Sequence, residues 1–289
     1  MSKKLLIIGP RKASSSTKML IDEGELLFRT DYVPISDIIL ELGKKPGIFY
    51  EGRNLSEYDY CLPRIDSKRA EYGYHVIRFM DMAGMKKPYS AQTVLIAHNK
   101  FMSLDILRKA GVPIPTTYLI SSVETAKIVL KKMKYPIVVK IVGGYGGVGV
   151  MMFESKEAAL SAIQTLKLLK QQIIIEEFIQ NAGEDIRAFV VNGEVAASMK
   201  RVAKEGEIRA NLLQGGQGKY ITLTGEMEDV ALKAASAIAS DIIAIDIIES
   251  TEGPKVIEVN LNPGIKGIKS VSNKNIAKVI IDFIASEMD

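Results

Sequence analysis

Three oxygen-bearing side chains near the C-terminus stand in strongly apolar surroundings. Asp246 lies within IIAIDII, and Glu258 and Asn260 lie within VIEVNLNPG. Burying a carboxylate costs free energy unless a cation compensates it, and carboxylate and amide oxygens suit Mg²⁺ or Mn²⁺ better than Zn²⁺. On a strand, Glu258 and Asn260 point to the same face because they are two residues apart. The pattern predicts two metal-holding strands, although VNLNPG alone also fits a strand that ends in an Asn-Pro-Gly turn.

A lysine that leads directly into a glycine-rich loop is the second feature that could do chemistry. Lys140 ends the apolar run PIVVK, and the following loop contains Gly144, Gly146, Gly147 and Gly149. Three of these glycines match GxGxxG, but a dinucleotide-binding fold needs a helix after the turn, whereas GVGVMMF has the pattern of a strand. Strand, loop and strand predict a flap that closes over phosphates and donates backbone N–H groups to them. A hairpin tip without a ligand stays the alternative.

The elements that position these residues follow from the spacing of apolar runs. The N-terminal runs KLLIIG, DYVPI, PGIFY and YDYCLP alternate with helix-like stretches, which is typical of an α/β layer. We predict three parts: residues 1–92 form this α/β domain, residues 93–175 carry the flap, and residues 176–289 carry the metal site. In the third part, Asn192 and Gly193 separate EDIRAFVV from EVAASMKRV and predict a hairpin.

Composition narrows the class of protein further. The 289 residues are 47% hydrophobic and 25% charged, which is typical of a soluble globular protein. The net charge of +4 gives little reason to expect nucleic acid as a partner. No apolar run reaches membrane-spanning length and the first run is too short for a signal peptide, so we expect a cytoplasmic protein without a membrane partner. Cys61 is predicted to be a buried structural thiol, and His75 and His98 are both interpreted as structural.

In this order, the motifs resemble those of the ATP-grasp superfamily and, more closely, of its RimK-like family of ribosomal-protein glutamate ligases (alpha-L-glutamate ligases). The resemblance extends from about His98 to Ile268 and rests on HNKFMSLDIL, GGYGGVGV, EEFI, GEDIRAFVVNGEVAASMKR, EGEIRANL and EVNLNPGIKGI. RANLLQGGQG departs from the family, which usually has serine between the Arg and the Asn. The resemblance implies an ATP-grasp fold of the α/β (α+β) class with an N-terminal α/β pre-ATP-grasp domain.

The resemblance also implies roles for individual residues. Two metal ions would be bound by Asp246, Glu258 and Asn260, on the strands described above. Arg187 would clamp a substrate carboxylate, and Arg209 and Asn211 would stabilise the carbonyl oxygen or the phosphate. The residues expected at the nucleotide are Lys100, Lys140, Gly144, Gly146, Gly147, Glu176, Glu177, Phe178, Ile179, Asp185, Arg209 and Asn211.

The reaction implied is ATP-dependent joining of a carboxylate to an amine through an acyl phosphate. The amino acid would be L-glutamate or a similar acidic one. Three carboxyl-terminated acceptors stay open: a ribosomal protein tail, a pterin or deazaflavin coenzyme that bears glutamate, and a carrier protein of lysine or arginine biosynthesis. A small-molecule kinase of the same superfamily and a nucleotide sensor without catalysis are the alternative functions. Assembly into a homo-oligomer is also left open.

Overall fold

The structure is a computed structural model that describes residues 3–144, 147–180, 183–204, 216–272 and 274–289. The strands are β1 (Lys4–Gly9), β2 (Arg29–Pro34), β3 (Ile39–Glu41), β4 (Gly47–Tyr50), β5 (Arg53–Asn54), β6 (Tyr60–Pro63), β7 (Thr117–Ile120), β8 (Ile137–Ile141), β9 (Val150–Phe153), β10 (Ile173–Glu177), β11 (Glu184–Val191), β12 (Glu194–Val202), β13 (Gln217–Tyr220), β14 (Ile242–Ser250) and β15 (Gly253–Asn260). The helices are α1 (Ser15–Glu25), α2 (Ala70–Met82), α3 (Ala91–Ala97), α4 (Lys100–Lys109), α5 (Val123–Leu130), α6 (Lys156–Leu168), α7 (Gly225–Ile238), α8 (Lys266–Lys269) and α9 (Ile276–Met288).

The N-terminal part contains a small antiparallel sheet, β3-β4-β5, which takes up the run PGIFY that was predicted to belong to the α/β layer. Its other sheet is parallel and has the strand order β2-β1-β6, as expected of an α/β layer. Its central strand β1 is apolar on both faces because helices cover both sides of a parallel sheet. The crossover helix α1 begins after Ser14, whose hydroxyl accepts a hydrogen bond from the backbone N–H of Thr17 at 3.1 Å. Cys61 on β6 is fully buried, and burial raises the pKa of its thiol. The prediction of a structural cysteine is therefore supported.

The central part is an antiparallel sheet with the order β7-β10-β8-β9. One face packs Val139 and Ile175 against Leu130 of α5 and Ile163 of α6. The strand that follows the glycine loop pairs with the strand before it, so that Lys140 lies opposite Val150. The prediction of a strand, loop and strand in place of a dinucleotide fold is confirmed.

The C-terminal part is an antiparallel sheet with the order β13-β12-β11-β14-β15. The turn between β11 and β12 has positive φ at Asn192 (50°) and Gly193 (70°), as a two-residue hairpin requires. Ile243 and Ile245 of β14 are buried on the face that packs on α7 and α4, and Ala244 is buried on the other face. Asp246 continues the row of Ala244, so that one end of this second face is polar.

The apolar cores join the parts unequally. The N-terminal and C-terminal sheets share two clusters, one of which contains both Leu6 and Ile186 and the other both Leu5 and Phe189. The central sheet has a cluster of its own. β10 continues to Glu177, so the predicted boundary at 175/176 falls inside a strand. Among the residues that the structure describes, no helix is long and apolar enough to cross a membrane.

Candidate functional site

Asp246 and Glu258 lie opposite each other on β14 and β15. The pairing runs in regular register from the connecting turn to Ile247 and Val256, and then shifts so that Ile257 is skipped. In an unshifted register Asp246 would face Ile257, and Glu258 would point to the opposite side of the sheet. The bulge therefore brings the two carboxylates onto one face.

Asn260 ends β15 on the same face as Glu258. Its Oδ1 accepts a hydrogen bond from the backbone N–H of Asn262 at 2.9 Å, which begins the Asn-Pro-Gly turn. The two interpretations of VNLNPG, a strand that ends in a turn and a strand that binds metal, are therefore compatible, because Asn260 ends β15 and lies on the same face as Glu258. The register brings Asp246 opposite Glu258, and Asn260 opposite Ala244, and the metal-binding role of Asp246, Glu258 and Asn260 stays a prediction.

This donor set fits a hard divalent cation. Within the described ranges, no group of three or more His, Cys, Asp or Glu side chains is arranged to hold a metal ion. Two carboxylates and an amide on neighbouring strands are nevertheless an all-oxygen set, and Mg²⁺ usually takes one or two carboxylates, with water and phosphate completing its coordination. Glu258 and Asn260 line the cavity described below, whereas Asp246 is only 3% exposed beneath it.

A buried ionic network fixes Asp246. Arg187 on β11 donates from Nε and Nη2 to the two carboxylate oxygens, both at 2.7 Å. Arg201 on β12 donates to the same carboxylate at 2.9 Å and forms a two-bond pair with Asp185. Asp185 lies opposite Arg201, and Arg187 lies opposite Asp246, so the network crosses three strands. Two acids and two arginines are formally neutral together.

The network bears on two sequence predictions, which stay predictions. Arg187 was expected to clamp a substrate carboxylate, but it gives its bidentate pair to Asp246. Asp185 was expected at the nucleotide, but both of its oxygens accept from Arg201. Arg201 itself is absent from the prediction. A bulge between Phe189 and Val190 brings Arg201 opposite Asp185. A hairpin without this bulge would have paired Asp185 with Lys200, the residue before Arg201.

The charges within the network shift one another's pKa values. Burial raises the pKa of Asp246, but the guanidinium groups of Arg187 and Arg201 outweigh it and hold this pKa well below its usual range. Burial also raises the pKa of Asp185, and the Asp246 charge adds to the rise against the opposing effect of Arg201. Asp246 is therefore the firmly ionised acid of the pair.

Lys100 connects the glycine loop to β15, the strand that carries Glu258 and Asn260. The residue begins α4, which is capped by Asn99 through hydrogen bonds from the N–H groups of Phe101 and Met102, both at 3.1 Å. Its Nζ donates to the carbonyl of Gly144 at 2.9 Å and to Glu258 Oε1 at 2.7 Å. One cation thus joins the tip of the central sheet to the edge of the C-terminal sheet.

Lys140 and Glu176 form a buried pair on the central sheet. They lie on the face opposite the α5 and α6 packing, and Nζ donates to Oε1. Glu176 is 3% exposed and Lys140 is 8% exposed. The expected contact of Glu176 with a nucleotide therefore competes with a lysine partner. Pairing of the ammonium group with the carboxylate offsets the free-energy cost of burying both charges.

Glu177, Phe178 and Ile179 leave the end of β10 half-buried. Glu177 Oε1 accepts from Lys255 Nζ at 2.9 Å. Burial opposes ionisation, but the hydrogen bond and charge of Lys255 keep the pKa of Glu177 below its usual value. An ionised acid beside two apolar side chains is compatible with the predicted base and ribose slot.

The glycine loop is tightly folded where it is described. Gly147 and Gly149 have φ of 81° and 82°, a backbone region in which glycine is favoured. A Cβ on Gly144 would lie 2.5 Å from the carbonyl oxygen of Val148. Gly146 lies outside the described residues, as do Arg209 and Asn211, so their predicted roles stay predictions.

Gly144→Ala is expected to raise the KM for ATP between about 10-fold and 100-fold. The new methyl group would lie 2.5 Å from the carbonyl oxygen of Val148, so the loop must shift and move the Gly144 carbonyl that Lys100 binds. Gly143→Ala is the matched control, since a Cβ there meets no atom within 4 Å. Steady-state kinetics with ATP varied compares the two. Equal KM values in both variants would contradict a nucleotide role for the Gly144 backbone.

Some of the groups described above line one cavity of about 620 Å³. Its walls include Lys100, Gly144, Arg187, Arg201, Glu258 and Asn260, and it reaches Ser14 and Arg64 of the N-terminal part. A cavity of this volume is large enough for a nucleotide or a substrate of similar size. Cations, hard oxygen donors and a glycine loop around one cavity are the arrangement expected of an enzyme that handles phosphate groups.

Comparison with known proteins identifies the family. A family model of the RimK-like ATP-grasp domain matches residues 97–284, and a model of the RimK pre-ATP-grasp domain matches residues 4–94. A protein of Thioalkalivibrio sulfidiphilus (strain HL-EbGR7) named "Probable alpha-L-glutamate ligase" is 39% identical over 242 residues, which are 83% of this chain and 80% of that protein. A protein of the same name from Coxiella burnetii (strain Dugway 5J108-111) is 34% identical over 287 residues, 97% and 95% of the two chains.

The fold also agrees with solved structures. The ATP-grasp ligase PsnB, complexed with a phosphomimetic variant of its minimal precursor, Mg and ADP, superposes with a TM-score of 0.76 at 16% identity, over 100% of both chains. The molecule therefore has an ATP-grasp fold preceded by a pre-ATP-grasp domain. The chain belongs to the RimK-like ATP-grasp family and is an ATP-dependent carbon–nitrogen ligase of the ADP-forming type.

Proposed function

We propose that the protein adds L-glutamate, or a similar acidic amino acid, to a carboxyl-terminated acceptor. The names of the relatives that align over most of the chain support the amino acid. The observation that carries the proposal is the bridge of Lys100 between Gly144 and Glu258, because it joins the loop suited to phosphates to the strand suited to a metal. ATP and Mg²⁺ would occupy this junction, with Mn²⁺ as a substitute and two ions as the expected number.

The site residues that the structure describes have separate roles in this proposal. Lys100 and Lys140 neutralise phosphate oxygens, and the half-buried Phe178 and Ile179 border the adenine. Glu258, Asn260 and Asp246 would hold the metal, with Glu258 and Asn260 facing the cavity. The metal would supply charge neutralisation at the transferring phosphoryl group. Glu176 holds Lys140 of the central sheet in place, and Glu177 holds Lys255 of β15.

Arg187 acts through Asp246 in this proposal and not on the substrate directly. Its two-bond pair fixes the orientation of the carboxylate and keeps it ionised. Arg201 does the same from the other side and also holds Asp185. Arg209 and Asn211 keep their proposed role at the carbonyl oxygen or the phosphate, which the family resemblance implies.

The chemistry follows from the weakness of a carboxylate as an electrophile. Its oxygen attacks the γ-phosphorus of ATP, the bond to ADP breaks, and an acyl phosphate forms. The amine then attacks the acyl carbon, the carbon–oxygen bond to phosphate breaks, and inorganic phosphate leaves with that oxygen. Catalysis by this chain consists of positioning the groups and neutralising their charge.

Oxygen-isotope transfer tests the reaction. With ¹⁸O in the acceptor carboxylate, we expect one labelled oxygen in the released phosphate for each amide formed, read by mass spectrometry. The acceptor is found first by pairing protein tails, glutamate-bearing coenzymes and carrier proteins with glutamate and ATP. Release of AMP and pyrophosphate would contradict the acyl-phosphate mechanism, and a stable phosphorylated product released with ADP would favour the kinase.

A further inference from the structure

Three buried side-chain atoms without a hydrogen-bond partner lie around the end of the cavity that faces the N-terminal part. Within the described part of the chain they are Arg64 Nε, Asp66 Oδ1 and His98 Nε2, and all three residues line the cavity. Buried polar atoms are nearly always paired, because losing water without a replacement partner costs free energy. Only two other such atoms occur among the described residues. Their concentration at one wall indicates a site for a ligand that supplies the missing bonds.

Arg64 supplies a positive charge to this wall. The residue follows β6, is 2% exposed and donates from Nη2 to the carbonyl of Pro263 at 2.8 Å. No carboxylate of the described residues forms an ion pair with it. Burial lowers the pKa of its guanidinium to about 10, so the group is charged at neutral pH. A buried charge of this kind calls for an anion nearby.

The start of α1 adds to the preference for an anion. Ser14, Ser15 and Ser16 line the same cavity, and the first turn of the helix carries no acidic residue. The Oγ of Ser16 accepts from the backbone N–H groups of Ile265 and Lys266, at 3.0 and 3.3 Å. This contact fixes the helix end against the C-terminal part. Helix N-termini stabilise carboxylates and phosphates through their free N–H groups.

Asp66 and His98 offer acceptors beside the cation. Asp66 Oδ2 pairs with Arg69, which leaves Oδ1 unpaired. Burial lowers the pKa of His98 to about 4, against the opposing charge of Asp66, so the ring is neutral. A hydrogen bond to the backbone of Ile65 occupies the other ring nitrogen, and Nε2 is the acceptor of the neutral ring. An ammonium group is the complement of a carboxylate and an imidazole acceptor.

We propose that this wall binds the free amino acid that the enzyme ligates. Arg64 and the N-terminus of α1 bind a carboxylate, and Asp66 Oδ1 and His98 Nε2 accept hydrogen bonds from the α-amino group. The site belongs to the N-terminal domain and to His98 at the C-terminal end of α3, and it opens on the same cavity as Lys100 and Glu258. The assignment rests on the proposed function, because it names where the acidic amino acid of that reaction lies.

Arg64→Met tests the carboxylate contact with little change in side-chain volume. We expect the KM for glutamate to rise at least about 30-fold, while the KM for ATP changes less than about twofold. Arg64→Lys is expected to recover part of the affinity because it keeps the charge. Arg78→Met, an exposed arginine of α2 in the same domain, is the matched control. The preference of the wild-type enzyme for glutamate over glutamate α-amide should also shrink in Arg64→Met if the α-carboxylate is bound.

Asp66→Asn and His98→Gln test the amino-group contact independently. Each is expected to raise the KM for glutamate about tenfold with the KM for ATP unchanged. If Arg64→Met does not fold, these two variants decide the matter, and unchanged glutamate KM values in both would overturn the site. A parallel rise of both KM values with a lower Tm in Arg64→Met would also overturn it, since this is the effect of a purely structural arginine.

Assays of the wild-type enzyme distinguish a failure of the amino-acid site from a failure of the proposed function. Wild-type protein that releases no ADP with any acidic amino acid and acceptor contradicts the proposed function. Wild-type protein that ligates glutamate, together with Arg64, Asp66 and His98 variants of normal glutamate KM, overturns the amino-acid site and leaves the function standing. Calorimetric titration of glutamate into the protein with Mg²⁺ and a non-hydrolysable ATP analogue gives the affinity without turnover, and we expect it to fall in the same variants.

Discussion

Glu258→Gln is expected to lower kcat more than about 100-fold while the fold stays intact. The carboxylate lies on the cavity wall beside Asn260 and opposite Asp246, so it is the acid best placed to hold a metal there. Removing its charge weakens the cation that would offset the charge of the transferring phosphoryl group, an effect of several kcal/mol. Chelating the metal in the wild-type enzyme should have the same consequence.

The stability of Glu258→Gln should remain close to that of the wild-type protein. The ion pair with Lys100 involves a glutamate side chain that is 40% exposed, and such pairs contribute no more than about 1 kcal/mol. Lys100 also keeps its hydrogen bond to the carbonyl of Gly144. Glu249→Gln, an exposed acid of β14, is the matched control. Turnover and its Mg²⁺ dependence are measured beside thermal melting, and full activity in Glu258→Gln would rule out the metal assignment.

Lys140→Met is expected to lose both stability and ATP affinity. Its partner Glu176 is 3% exposed, and a buried carboxylate left without its cation destabilises a protein by about 3–5 kcal/mol. The loss of a charge-assisted contact to phosphate should weaken ATP binding about 10- to 100-fold. Because unfolding alone would also reduce binding, the single variant does not separate the two effects.

The double variant Lys140→Met, Glu176→Gln separates them. Removing both charges leaves a neutral buried pair, so the free energy of unfolding should return close to the wild-type value. ATP affinity should stay low, because the cation is still missing. Lys132→Met, an exposed lysine of the same part, is the control. Denaturant unfolding and calorimetry give the two quantities, and wild-type ATP affinity in the double variant would show that Lys140 does not contact the nucleotide.

The separate core of the central sheet bears on how these residues act together. Lys140 and Gly144 belong to a part whose apolar cluster is its own, whereas the strands of Asp246 and Glu258 share their core with the N-terminal domain. The hydrogen bond of Lys100 to Gly144 crosses between them. Closure over a nucleotide would therefore require few apolar contacts to be remade, which is the usual arrangement of an active-site lid.

The sequence by itself determined the features that depend on local pattern. A lysine at the end of an apolar strand before a glycine loop, and a strand after that loop, predict the flap because alternation and glycine act over a few residues. Asn192 and Gly193 predict a hairpin for the same reason, since only residues that tolerate positive φ suit the turn. The acids in apolar runs identify β14 and β15 as strands with a chemical role, and the order of these motifs indicated the family.

Only the tertiary structure decided which side chains meet. Two bulges set the register, one of which brings Glu258 opposite Asp246 and the other Arg201 opposite Asp185. A shift of one residue reverses the face of every side chain in a strand, and nothing in the local sequence announces it. The bidentate pair of Arg187 with Asp246 follows from strand order. Arg64 reaches the same cavity from the N-terminal domain because the N-terminal and C-terminal sheets share their cores, a contact between segments about 200 residues apart.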